Sequence, residues 1–229
     1  MRVDGEPRDA PPVACPYLPD KTFIQNYFFG LEADPPETSA LLAAGWRHFG
    51  AFFFRPNCPG CRACWPVRLA ASTLEFTPSQ RRVWRRNEDV DFQAVPLEYK
   101  DEYFELYQDH SLHRFGKETD SEEFRQGFFE PAVPTFLTEY RIEGELAALG
   151  FCDEAEDSLS SVYFVFGDKY ADRSLGIYSI LRECALAAEL KKEWYYLGYW
   201  VQGNATMAYK GRFGPKQVRN WSTGEWEEK

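Results

Sequence analysis

The sequence predicts an α+β fold on three observations. The chain has 229 residues, 44% apolar and 17% aromatic, which is enough to bury one large or two small cores and too apolar for disorder. Its second half runs through strand-like and helix-like patterns in the order β-α-α-β-β-β-α-β-α-β. Its first half is built differently, from an apolar strand pattern, a Cys-rich loop and an Arg-rich helix. The chain therefore divides into a smaller Cys-containing domain over residues 1–88 and a larger one over residues 89–229. The boundary falls near residues 87–90, where the charge changes sign.

The start, MRVDGEPRDAPP, is polar and Pro-rich and reads as a loose tail. It lacks the basic-then-apolar pattern of a signal peptide, and no apolar run approaches the roughly 18 residues that cross a bilayer. A cytoplasmic protein without a membrane partner is expected. Residues 38–45 read as a short helix ended by Gly45, and residues 46–55 (WRHFGAFFFR) as a strand. PNCPGCRACWP follows as a loop, residues 67–71 as a second strand, and residues 78–87 as a helix with Pro78 in its first turn. In the second half, strands are expected at 90–95, 134–142, 145–152, 159–166, 194–198 and 217–221. Helices are expected at 97–109, 121–129 and 174–191, with a short helical piece near 204–210.

This order resembles the GNAT-type acyltransferase fold. The resemblance implies a sheet that splays between its fourth and fifth strands, with the acyl donor at the N-terminus of the helix between them. Unpaired N–H groups and a partial positive charge make such a helix start a natural phosphate site. Here that point reads Arg173-Ser174-Leu175-Gly176-Ile177-Tyr178. Acetyltransferases carry Q/R-x-x-G-x-G/A there, so phosphate binding by Arg173, Ser174 and Gly176 fits, but Tyr178 replaces the small residue that coenzyme A needs.

The net charge is −10, yet it is unevenly spread. Residues 47–86 hold eight Arg and one acid, whereas residues 91–157 hold 18 acids and five bases. On the helix of residues 78–87, Arg81 and Arg85 lie at i, i+4, as do Arg82 and Arg86. They repel by a few tenths of a kcal/mol per pair, which an anion would offset. A tRNA phosphate, a substrate carboxylate or the acidic second domain would each serve. Tyr196–Pro215 interleaves aromatics with cations (Tyr199, Trp200, Tyr209, Lys210, Arg212). An unpaired nucleotide end needs that mixture; a packed aromatic cluster with solvated cations is the alternative.

Six segments, met in order between residues 15 and 215, resemble the arginyl-tRNA–protein transferases and their bacterial relatives, the aspartate/glutamate leucyltransferases. They are CPYLP at 15–19, RPNCPGCRACWPVR at 55–68, SQRRVWRRN at 79–87, LSSVY at 159–163, RSLGIYSIL at 173–181, and YLGYW followed by MAYKGRFGP at 196–215. Two departures stand out. The family's Asp-Pro after L-S-x-V-Y reads Gly167-Asp168 here, and its Arg-His pair after the first long helix is represented only by His110, His113 and Arg114.

The resemblance implies transfer of an amino acid, leucine before arginine, from aminoacyl-tRNA to proteins that begin with Asp or Glu. Such proteins would be marked for degradation by the N-degron pathway. The ester donor is activated and the acceptor amine, with a reference pKa of roughly 7.7–8.0, is partly neutral at pH 7. Positioning and oxyanion stabilisation can then suffice, and no enzyme-bound nucleophile or cofactor is required. Tyr209, Lys210 and Arg212 are the candidate catalytic group. Ser79, Gln80, Arg81, Arg82 and Arg85, with Arg173, Ser174, Gly176, Tyr199 and Trp200, are candidates for tRNA or acceptor binding. Asp153 or Asp172 could orient the amine. Cys58, Cys61 and Cys64 with remote Cys15 could ligate zinc or an iron–sulfur cluster, or pack as thiols in a loop. An acetyl-CoA-dependent N-acetyltransferase and a non-catalytic RNA- or protein-binding module are the competing readings. On the family reading, Lys210→Ala should cut transfer sharply with an unchanged circular-dichroism spectrum. Unaltered turnover would remove Lys210 from the site.

Overall fold

Eight strands in one mixed sheet carry the architecture. The computed structural model describes all of residues 1–229. In chain order its elements are β1 (Arg2–Asp9), β2 (Val13–Ala14), β3 (Thr22–Phe23), β4 (Gln25–Leu31), α1 (Pro35–Ala43), β5 (Arg47–Phe49), β6 (Phe52–Pro56), β7 (Cys64–Ala70) and α2 (Pro78–Arg86). There follow β8 (Asp91–Pro96), α3 (Asp101–Phe115), α4 (Ser121–Phe128), β9 (Thr135–Ile142), β10 (Glu145–Glu154), β11 (Ser158–Phe166), α5 (Leu175–Glu189), β12 (Trp194–Val201), β13 (Lys216–Arg219) and β14 (Trp226–Glu228). The large sheet has the order β14-β13-β7-β12-β11-β10-β9-β8, a second sheet the order β1-β4-β6-β5, and β2 pairs with β3.

The helices begin where the chain supplies caps. Asp34 with Glu37 and Thr77 with Gln80 each form a reciprocal capping box, and Asp120 accepts from the N–H groups of Glu122 and Glu123. Gly116 ends α3 in the left-handed region. α5 is different: it is apolar nearly all round, as a helix buried by the sheet must be. Strand β10 is buried along residues 146–153, covered on both faces. The only charged side chain that α5 buries fully, Glu183, accepts from Thr138 (3.0 Å), Tyr140 (3.1 Å) and Tyr195 (2.5 Å). Burial raises its pKa, so the carboxyl is held by hydroxyl donors rather than by a cation.

The feature that positions the site is the joint between β11 and β12. These strands are parallel and pair only over residues 158–160 and 194–196. Beyond that they part, and β12 continues antiparallel to β7 as far as Val201. The sheet thus splays between the fourth and fifth strands of the β8–β12 set, with α5 crossing between them: the GNAT-like arrangement.

Other expectations change. The first residues are an edge strand, β1, laddered to β4. Every residue of β1 is exposed, so no alternation marks it as a strand. The predicted strand at 46–55 is a tight hairpin, β5–β6. Residues 1–88 contribute to both sheets: β1, β4, β5 and β6 make the four-stranded one, and β7 lies inside the large sheet between β13 and β12. No helix is long and apolar enough to cross a membrane.

His48 ties the two sheets together. Its Nδ1 donates to Gly50 O (3.0 Å) and its Nε2 lies 3.0 Å from Asp153 Oδ2 on β10. Burial opposes the ring's charge, but the Asp153 carboxylate outweighs it and raises the pKa above the ordinary 6.5. That contribution is therefore complete below about pH 6.5 and fades as pH rises through the folded-state value. The difference in urea midpoint between the native chain and His48→Asn should shrink from pH 6 to pH 9; a constant difference would contradict the charged pair. Gly150 gives a packing test. A Cβ there would sit 2.2 Å from Thr138 Oγ1 and 2.7 Å from Glu183 Oε1, both in the core. Gly150→Ala should cost about 1–3 kcal/mol by overpacking, read as a lower urea midpoint with an unchanged slope.

Candidate functional site

The parting strands leave backbone groups without ladder partners, and two cations take them up. Ser161 and Leu197 are the first residues past the paired segment on β11 and β12. The Arg47 guanidinium donates to the Ser161 carbonyl and to Ser160 Oγ (2.6 Å). The Lys210 ammonium donates to the Leu197 carbonyl (2.7 Å). A Cβ on Gly198 would lie 3.5 Å from Lys210 Nζ and 3.7 Å from Arg47 Nε, so a side chain there would crowd both cations. Neither cation has a carboxylate partner within ion-pair distance. Burial, and then Arg47, pushes the Lys210 pKa down to about 7.

Above this apex lies a cavity of about 700 Å³. Arg47, Arg114 and Lys210 line it, with His48 and His110, and no Asp or Glu does. In a chain of net charge −10 this is a local reversal of sign. The start of α5 opens into the same space: Ser174, Leu175 and Gly176 line it, and Ser174 makes no side-chain cap. The amide dipoles of a 15-residue helix therefore point at the cavity. Tyr209 also lines it, and its hydroxyl makes no hydrogen bond within the chain. His110 Nδ1 lies 3.1 Å from Phe166 O, and burial lowers the ring's pKa, so a neutral imidazole faces the space.

Of the residues expected from sequence, Ser174, Gly176, Tyr199, Tyr209 and Lys210 meet here. Tyr199 serves as a pin: its hydroxyl donates to Gly45 O (2.8 Å), lies 3.3 Å from Phe54 O on β6, and joins β12 to the small sheet. Trp200 points to the other face, against Trp65. Arg212 is exposed and off the cavity; its carbonyl accepts from Gln80 (3.3 Å). Gln80 is thus committed to its helix cap and to that turn. Ser79 and Arg81, Arg82 and Arg85 are exposed on α2, which packs beside α5, and do not line the cavity. None of the α2 arginines forms an ion pair, so of the three partners the sequence left open the acidic half is not the one they take. Arg173 does not line the cavity and is bound to Asp89 (2.7 Å). Asp153 is spent on His48, and Asp172 is exposed.

Sequence reasoning missed Arg47, and it gave His110 only as one of the residues nearest the family's Arg-His pair. Arg47 had one signal, a cation inside the apolar run WRHFGAFFFR. His110 had a weaker one, its nearness to the family's Arg-His position, and its place in the cavity depends on α3 crossing the end of β11.

Cys15, Cys58, Cys61 and Cys64 lie in one region. Burial, then the other three thiols, pushes Cys64 up to about 12. Cys58 is engaged with the Ile24 backbone, donating to its carbonyl at 3.7 Å. No group of three or more His, Cys, Asp or Glu is arranged to hold a metal ion.

The family profile described as the arginine-tRNA-protein transferase N terminus matches residues 13–82, and that of the C terminus matches residues 102–220. An aspartate/glutamate leucyltransferase from Marinobacter nauticus is 35% identical over 224 residues, covering 95% of this chain and 93% of the relative. One from Nitrosospira multiformis is 38% identical over 218 residues, covering 93% and 86%. A crystal structure of a conserved protein of unknown function from Bacteroides thetaiotaomicron shares the fold. Its TM-score is 0.50 at 12% identity, over 66% of this chain and 55% of that one. With both halves matched and the cavity of the splayed sheet carrying the matched motifs, the chain belongs to the arginine-tRNA-protein transferase family.

Proposed function

We propose that the protein transfers leucine from charged tRNA to the α-amine of proteins that begin with Asp or Glu. The observation that carries this reading is the cavity in the splayed sheet, which has three cationic side chains and no carboxylate. The leucyltransferase names of its relatives support the choice of donor. So do the apolar walls from Ile177, Ile180, Leu197 and Met207, which suit an aliphatic side chain. Acetyl-CoA is disfavoured because Tyr178, buried against Trp84, fills the helix position that coenzyme A needs small. Charged tRNA as donor places the reaction in the cytoplasm.

In this reading Arg47 and Lys210 take the acidic side chain of the acceptor. A carboxylate between them would restore the proton that burial makes Lys210 ready to lose. The α-amine then attacks the ester carbonyl. A C–N bond forms, the C–O bond to the terminal ribose breaks, one proton leaves the amine and one reaches the ribose oxygen. The free Tyr209 hydroxyl and the uncapped start of α5 are suited to the oxyanion. The neutral His110 ring is suited to the amine's proton. The unpaired arginines of α2 supply phosphate contacts outside the cavity.

The test incubates the protein with leucyl- or arginyl-tRNA and peptides beginning with Asp, Glu or Ala, and reads the products by mass spectrometry. Leucine should be added to the Asp and Glu peptides and not to the Ala peptide; no addition from leucyl-tRNA would overturn the reading. Arg47→Gln should raise KM for the Glu peptide roughly 10–100-fold, the equivalent of one charge-assisted hydrogen bond.

A further inference from the structure

The outward face of the four-stranded sheet is aromatic, and the row leads into the cavity. On β4, Phe28 is buried and Gly30 faces the same way, so Tyr27 and Phe29 point outward. The register places Tyr27 opposite Phe54, Phe29 opposite Phe52, and Phe52 opposite Phe49. All five rings therefore share one face. Their centroids are 5.4–6.0 Å apart: Tyr27 to Phe52 5.4 Å, Phe29 to Phe52 5.5 Å, Phe52 to Phe54 5.7 Å, Phe49 to Phe54 5.7 Å and Tyr27 to Phe29 6.0 Å. Phe29 is 40% exposed and Phe49 38% exposed. The core does not need them there, since Phe28 and Phe53 already fill the inner face.

The two ends of the row differ. At one end, Phe49 and Phe54 are walls of the cavity, and Arg47 stands in register with Phe54 on the same face. At the other end the Arg8 guanidinium lies 5.2 Å over the Tyr27 ring. Asp4 is in register with Phe29 on the edge strand, so the more cationic end is the one at the cavity. A flat sheet face bearing stacked rings with cations at its ends is what unpaired nucleotides bind: rings stack on bases and cations meet phosphates.

We infer that this face, Tyr27, Phe29, Phe52, Phe54 and Phe49, binds the unpaired 3′ end of the donor tRNA and delivers its terminal aminoacyl-adenosine past Phe49 and Phe54 into the cavity. The inference rests on the aminoacyl-tRNA reading and adds the surface by which the donor is threaded. It also separates two jobs. The arginines of α2 meet backbone phosphates irrespective of the 3′ end, while the aromatic row recognises that end alone.

The test measures binding of uncharged tRNA, intact or trimmed of its unpaired 3′ nucleotides, at one fixed salt concentration. Trimming should weaken binding to the native chain roughly 10–100-fold, as one or two lost base stacks would. The double variant Tyr27→Ala/Phe29→Ala should bind intact tRNA about as weakly as the native chain binds trimmed tRNA, and trimming should then change little. Tyr27→Phe/Phe29→Tyr, which keeps both rings, should behave as the native chain does. Equal affinity of the native chain for both tRNAs would overturn the inference without reference to any variant. So would a double variant that still discriminates as the native chain does. A native dimer in sedimentation that the double variant loses would show instead that the face joins two copies, and would also overturn it. Transfer to a Glu peptide is read in parallel. Discrimination without transfer would sink the activity and leave the platform standing, and transfer without discrimination would do the reverse.

Discussion

The short parallel pairing of β11 with β12 is the constraint on which the rest of the molecule depends. Three residues of each strand pair, and then the strands diverge. A buried carbonyl without a partner is costly, so the opening is stable only if something else reaches the freed groups. Arg47 comes from the small sheet to Ser161, and Lys210 from the turn after β12 to Leu197. The same two side chains thereby satisfy the fold and place positive charge at the apex of the cleft. Structural need and binding capacity are met by one arrangement.

That arrangement would fail if acids shared the cavity. The chain has 36 Asp and Glu, and those buried near the sheet are committed elsewhere. Asp153 holds His48, Glu183 is fixed by three hydroxyls, and Glu139 is bound by Lys100 and Arg141. Glu139 shows the cost being offset: burial would raise its pKa, yet the two cations and Tyr103 bring it down to about 2. The cavity keeps its positive sign because the acids around it are already partnered, despite the chain's overall charge.

The N-terminal third helps to build the cavity. β7 continues the large sheet beyond β12, and without it one edge of the splay would have no support. β5 brings Arg47 and His48 to the cavity, and Tyr199 ties β12 back to the same region. A split between a Cys-containing module and an acyltransferase module would cut through this sheet.

The sequence alone determined the element order of the second half and the identity of the family. These are local: strand alternation, helical period and motif spacing are properties of short windows. It also carried Lys210, Tyr209 and the start of α5 into the site, because each follows a recognisable element by a fixed offset. The tertiary structure decided the remainder. β1 could not be read because none of its residues is buried, so its strand character comes entirely from pairing with β4. Arg173 looked free until Asp89 met it, and Gln80 looked like a ligand until it proved to hold a helix start and a distant turn. Arg47 joins Ser160 across 113 residues of chain, and the five aromatic rings form one row only when β4, β5 and β6 lie side by side. Which charges find partners, and which side chains face a common space, is set by long-range pairing that no local window contains.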